Sequence, residues 1–114
     1  MVSAKNGFPK RVKIGYMWFD IKPAQEDYIE AAKIAAELHI DKEEIVYDKK
    51  LPQNRFINCI IHEIVHGIID IWGIFFQSDE EEEKFTEAFT NGLITVFMDN
   101  QELITWCNNE LTRK

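Results

Sequence analysis

Between Arg11 and Ile21 the side chains alternate with a period of two: Val12, Ile14, Tyr16 and Trp18 stand opposite Lys13, Gly15, Met17 and Phe19. In a run rich in β-formers, that period predicts a strand. From Pro23 the spacing lengthens. Tyr28, Ala31, Ala32, Ala35 and Leu38 recur at helical intervals, predicting a helix that Pro23 opens and that runs to about His39. Glu26 and Asp27 sit near its positive end, where negative charge is favoured. A polar turn at 41–44 leads to a short strand, Ile45-Val46-Tyr47, which Asp48 ends. Leu51-Pro52 then introduces a long helix from Gln53 to about Phe76, with Gly73 weakening its last turn.

Ser78 is a natural N-cap, and Asp79 to Glu83 place negative charge in the first turn of the next helix. Phe85, Ala88, Phe89, Leu93, Val96 and Phe97 form its apolar positions, and it reaches about Asp99. A last amphipathic segment, Gln101 to Leu111, carries Leu103, Ile104, Trp106 and Cys107. No repeat, linker or boundary interrupts residues 1–114, so the pattern predicts a single α+β domain. In it, two to three short strands pack on one long helix and further helices.

The helix from Gln53 is apolar nearly all round. Ile57, Cys59, Ile60, Ile61, Ile64, Val65, Ile68, Ile69, Ile71 and Trp72 surround its few polar residues, which predicts a buried element. Among those polar residues are His62, Glu63 and His66, in the string His-Glu-Ile-Val-His. Four residues apart on a helix, the two imidazoles leave the same face one turn from each other. Neutral imidazoles so placed suit one Zn²⁺, while Glu63 points to a neighbouring face, where it serves as a general base rather than a ligand. Only three histidines occur in the chain, and two have this spacing. The third, His39, reads as a cation at a helix end.

A catalytic zinc usually has three protein ligands. Trp72 occupies the position six after His66, so neither a third His nor an Asp is supplied there. The following helix is the remaining source. Glu83, Thr86, Glu87 and Thr90 share a polar stripe beside Phe85 and Phe89, which makes Glu83 the candidate ligand and Glu87 its support. Glu82 is a rival, and Asp70, four after His66, could ligate or brace that histidine. Asp79, Glu80 and Glu81 read as a solvated helix start.

With these residues the chain resembles compact gluzincin-type metallopeptidases, in particular the small HExxH proteins of phages and mobile elements related to the ImmA/SprT-like groups. The resemblance spans about Ile45 to Asn100 and rests on HEIVHGII, on Glu83 followed by Thr86, Phe89 and Thr90, and on Asn91, Gly92, Leu93, Asp99 and Asn100. It implies a minimal zincin-like fold and zinc-dependent hydrolysis of peptide bonds, with Glu63 as base. The same residues also fit a non-catalytic, zinc-stabilised module that binds a peptide or protein partner.

Charge and composition narrow the partners. A net charge of −7 argues against nucleic acid, whose phosphates are bound through Lys and Arg. Within 57–76, Asn58, His62, Glu63, His66 and Asp70 interrupt the apolar run, so no membrane span is expected. The first 13 residues are polar and basic, unlike a signal peptide. Cys59 and Cys107 have no framework spacing and fit a reducing cytoplasm, that of the host for a phage protein. Trp18, Phe19, Trp72 and Trp106 are expected in the core.

Overall fold

A computed structural model describes residues 7–113. The protein is α+β, with a four-stranded sheet and four helices among the described residues. The sheet contains β1 (Arg11–Ile14), β2 (Met17–Pro23), β3 (Ala36–His39) and β4 (Glu44–Tyr47), in the order β1-β2-β4-β3. The helices are α1 (Glu26–Ala32), α2 (Gln53–Ile71), α3 (Asp79–Asp99) and α4 (Gln101–Leu111).

Four strands replace the expected two to three, and both extra ones have local causes. The run from Arg11 to Ile21 is a hairpin rather than one strand. Gly15 takes φ +61° and turns the chain so that Ile14 faces Met17. A glycine first in a two-residue loop suits the turns that match strand twist. The helix expected to reach His39 stops at Ala32, where Lys33 adopts the left-handed conformation and donates its N–H to the Ile29 carbonyl. Residues 36–39 then pair antiparallel with β4. Their helix-forming side chains are overridden because β4 offers a partner and α2 an apolar surface. His39 is therefore a strand residue, not a cation at a helix end, and it lies 2.6 Å from Glu37 Oε1.

The core lies between the sheet and α2. Ile14, Phe19, Ile21, Ile45 and Tyr47 from the strands meet Phe56 and Ile60 from α2. Gly67 allows the close approach, since a Cβ there would sit 2.9 Å from Ile14 Cδ1. The helix α2 ends at Ile71 rather than Phe76. Gly73, at φ +66°, reverses the chain, and the Ile74 N–H caps the Ile69 carbonyl.

Two expectations about burial do not hold. Helix α2 is not enclosed: Ile57, Ile68 and Trp72 are exposed on one side. Phe19 is fully buried, but Trp18, Trp72 and Trp106 are exposed, because the sheet and helices cover only one flank of each element. Among the described residues, no helix is long and apolar enough to cross a membrane.

Candidate metal centre

Helix α3 packs on α2, and its direction is set at the start. Ser78 caps it, its Oγ accepting the Glu81 N–H at 3.1 Å. Further along, Asn58 on α2 donates to Asn91 on α3 at 2.9 Å, and with His62 beside Glu83 and His66 beside Glu82 the two helices run antiparallel. Thr86 and Thr90 are fully buried on α3. Small β-branched residues at these positions let the helices come close enough for the side chains of α3's first turns to reach the histidines.

Three of those side chains converge. His62 Nε2 lies 2.6 Å from Glu83 Oε1, and His66 Nε2 lies 3.1 Å from Glu83 Oε2. Each of His62, His66 and Glu83 offers a ligand atom within 4.8 Å of the others. The imidazoles stand edge to face with ring centroids 4.8 Å apart. The other nitrogen of His66, Nδ1, lies 2.7 Å from Glu82 Oε2. Glu82 thus stands behind His66, against the nitrogen that faces away from Glu83. It is not one of the converging ligand atoms.

Asp70 and Glu87 are placed elsewhere. Both nitrogens of His66 face Glu82 and Glu83, and Asp70, though exposed, lines a hollow with Glu82, Ile74 and Phe75 on the far side of Glu82 from Glu83's contacts with the histidines. Glu87 is exposed. It lies one turn beyond Glu83 but on the outer side of the buried Thr86–Thr90 line.

Glu63 shares a cleft with His62 and Glu83 and reaches to β3. Its Oε1 accepts the Leu38 N–H at 2.9 Å. Burial pushes the Glu63 carboxyl up to about 7, opposed by His66 and by the Leu38 N–H. Such a carboxyl exchanges a proton near neutrality, as a general base requires. Cys59 lies on the same side of α2, and burial pushes its thiol up as well, so it remains a protonated neutral group.

His62, Glu63 and Glu83 line a cleft of about 250 Å³ together with Ala35, Ala36 and Asn58. One wall is β3, an edge strand. Asp48 N–H reaches the Ala35 carbonyl, whereas Leu38 N–H reaches Glu63. In an antiparallel pair, alternate residues bond inward. Ala36 and Leu38 therefore turn their backbone groups to the outer edge, where Glu63 takes up the Leu38 N–H. A larger hollow of about 790 Å³, against Phe8, Lys10, Arg11, Tyr47 and Phe56, contains none of these residues.

The sequence pattern missed the edge strand and its contact with Glu63. The alternation of Ala36 and Leu38 against Glu37 and His39 was its only signal, in a segment of good helix formers. Compared with known protein families, curated proteins and solved structures, the chain matches none.

Proposed function

We propose that this chain is a zinc-dependent peptidase of minimal zincin-like form, in which His62, His66 and Glu83 hold the metal. The observation that carries this reading is the convergence of two imidazole Nε2 atoms on one carboxylate, beside a half-buried glutamate in an open cleft. The donor set, two neutral nitrogens and one carboxylate oxygen, fits Zn²⁺ and leaves room for a fourth position. Bound there, Zn²⁺ supplies Lewis acidity and lowers the pKa of a water towards about 7.

The chain's own residues do the rest. Glu63 accepts the proton from the attacking water at its carboxylate and can return it to the leaving amine. Glu82 holds His66 in the tautomer that leaves Nε2 as a donor of its lone pair. The outer edge of β3 offers the Ala36 backbone and the Leu38 carbonyl to an extended peptide laid along it, which would bring the peptide's own carbonyl over the cleft.

One observation favours a second reading, a non-catalytic zinc-stabilised binding module. The Glu63 carboxylate is already engaged by the Leu38 N–H, and a carboxylate held this way serves structure as readily as proton transfer. Glu63→Gln separates the two. In a peptidase it keeps zinc and lowers turnover by about 10²–10⁴-fold, the share of general-base catalysis. The assay is cleavage of an unbiased peptide library read by mass spectrometry. Cleavage by wild type that is lost in Glu63→Gln supports the peptidase. Absence of cleavage by zinc-loaded wild type leaves the binding module as the function.

A further inference from the structure

We infer that the hollow where β1 stops short of β2, beside the start of α2, is a binding site for a small aromatic carboxylate. The hollow exists because the two strands of the hairpin differ in length. Arg11 and Asp20 are their last paired residues, and a bond from the Ile21 N–H to the Lys10 carbonyl closes the ladder. Ile21, Lys22 and Pro23 run on beside β4. The space left open measures about 790 Å³, within the about 300–1,000 Å³ usual for small-molecule sites.

The interior is aromatic and carries one unused donor. Phe8 and Tyr47 both stand edge-on to Phe56, with ring centroids 5.0 and 4.8 Å from it, and Ile21 completes the apolar wall. Aromatic rings favour such tilted contacts, so a further ring suits this floor better than a flexible chain. Tyr47 is only 9% exposed and lines the hollow, yet no group of the described chain bonds its hydroxyl. A tyrosine buried to this degree ordinarily finds a partner for its O–H. Burial pushes the phenol up, so at neutral pH it is an O–H donor. What it lacks is an acceptor inside the hollow.

Charge selects an anionic acceptor. Lys10, Arg11, Lys22 and Lys49 line the hollow against one acid, Asp20. That is four of the chain's 13 Lys and Arg, in a molecule of net −7. Arg11 Nε lies 3.7 Å from Asp20 with its guanidinium over Trp18, and Lys22 Nζ lies 2.9 Å from Glu44, which is outside the lining. A guanidinium has five donors and an ammonium three, so both keep donors to spare. Lys10 enters no ion pair among the described residues. Of the acids close by in sequence, Asp48 accepts the Lys50 N–H and Glu26 pairs with the Lys50 ammonium. With Glu44 counted beside Asp20, four cations still face two carboxylates. A cationic ligand would be repelled here, and a neutral one would leave the rim unused.

The hollow shares no lining residue with the cleft of His62, Glu63 and Glu83. The inference therefore stands apart from the peptidase reading, and neither depends on the other.

The test uses three probes with one ring system: 2-naphthoate, the neutral 2-naphthamide and the cationic 2-naphthylmethylammonium. Each is titrated into the full chain by calorimetry and by amide chemical shifts. Naphthoate should bind saturably, shifting the amides of Lys10, Arg11, Ile21, Lys22 and Tyr47. It should bind about tenfold or more tighter than the amide, the worth of a charge-assisted hydrogen bond, and the cation should bind weakest. Tyr47→Phe keeps the ring and removes only the donor, so naphthoate should lose about tenfold while the zinc affinity stays as in wild type. Lys10→Gln and Lys49→Gln, at the exposed rim, should each lose about two- to five-fold, less at high salt. No saturable binding of naphthoate at millimolar concentration overturns the inference. So does equal binding of naphthoate and naphthamide, a Tyr47→Phe protein that binds like wild type, or shifts confined to other parts of the chain.

Discussion

Glu63, Glu82, Glu83 and Glu87 are one residue type in four environments, and their chemistry follows from position alone. Glu83 touches both histidines, Glu82 touches the far nitrogen of His66, and Glu87 faces solvent. Glu83→Gln should therefore weaken zinc binding beyond the about 10–100-fold that loss of an orienting partner costs. Glu82→Gln should fall within that range, and Glu87→Gln or Asp70→Asn should change little. Competition with a chromophoric chelator gives the affinities, and a larger loss at Glu82 than at Glu83 would reverse the two roles. Glu37 allows a test by pH. The Tyr28 hydroxyl beside it, and His39, hold its carboxyl below the ordinary 4.5. Its contribution to stability is thus present above about 4.5 and fades as pH falls through the lowered value. In thermal melts, Glu37→Gln should lie below wild type near neutrality, and the gap should close in acid.

The hairpin joining β1 and β2 depends on one glycine, and its replacement should show how tightly the elements are fitted. A Cβ at Gly15 would lie 2.9 Å from Ile71 Cγ2, on a backbone with φ +61°. Gly15→Ala should cost about 1–3 kcal/mol from left-handed strain and the contact with α2. Calorimetry would register this as a melting temperature lower by several degrees. An unchanged melting temperature would mean that the turn does not constrain α2. The starts of α2 and α3 were readable for local reasons, whereas the ends of α1 and α2 were not. Pro52 and Ser78 mark the starts of α2 and α3, while Gly73, expected only to weaken a last turn, ends α2 five residues early. Strand β3 was not readable either, because Ala36, Glu37 and Leu38 favour helix and only pairing with β4 makes them extended. Local propensity is a weak prior wherever a sheet supplies hydrogen-bond partners.

In the whole molecule, the site is a link between two layers. Glu83 on α3 meets His62 and His66 on α2, so a metal held by all three ties α3 to the part of the chain that packs on the sheet. Ligation that occurs only in the folded state adds its free energy to stability. Treatment with a chelator should therefore lower the melting temperature of wild type, and His66→Ala should abolish the difference between treated and untreated protein. A wild-type melt indifferent to chelator would reduce the cluster to ion pairs between histidines and glutamates.

The spacing of His62, Glu63 and His66 was set by the sequence itself, since a helix places residues four apart on one face whatever surrounds it. The α+β class also followed from it, because hydrophobic periods of two and 3.6 residues are local properties. The choice among Glu82, Glu83, Glu87 and Asp70 was not local. It depends on the angle and depth at which α3 meets α2, which Thr86, Thr90 and the Asn58–Asn91 bond determine across 33 residues of chain. The environment of Glu63 likewise required β3 to leave its helical preference and bring the Leu38 N–H to the carboxylate. Both decisions belong to packing between segments distant in sequence, and no pattern within either segment contains them.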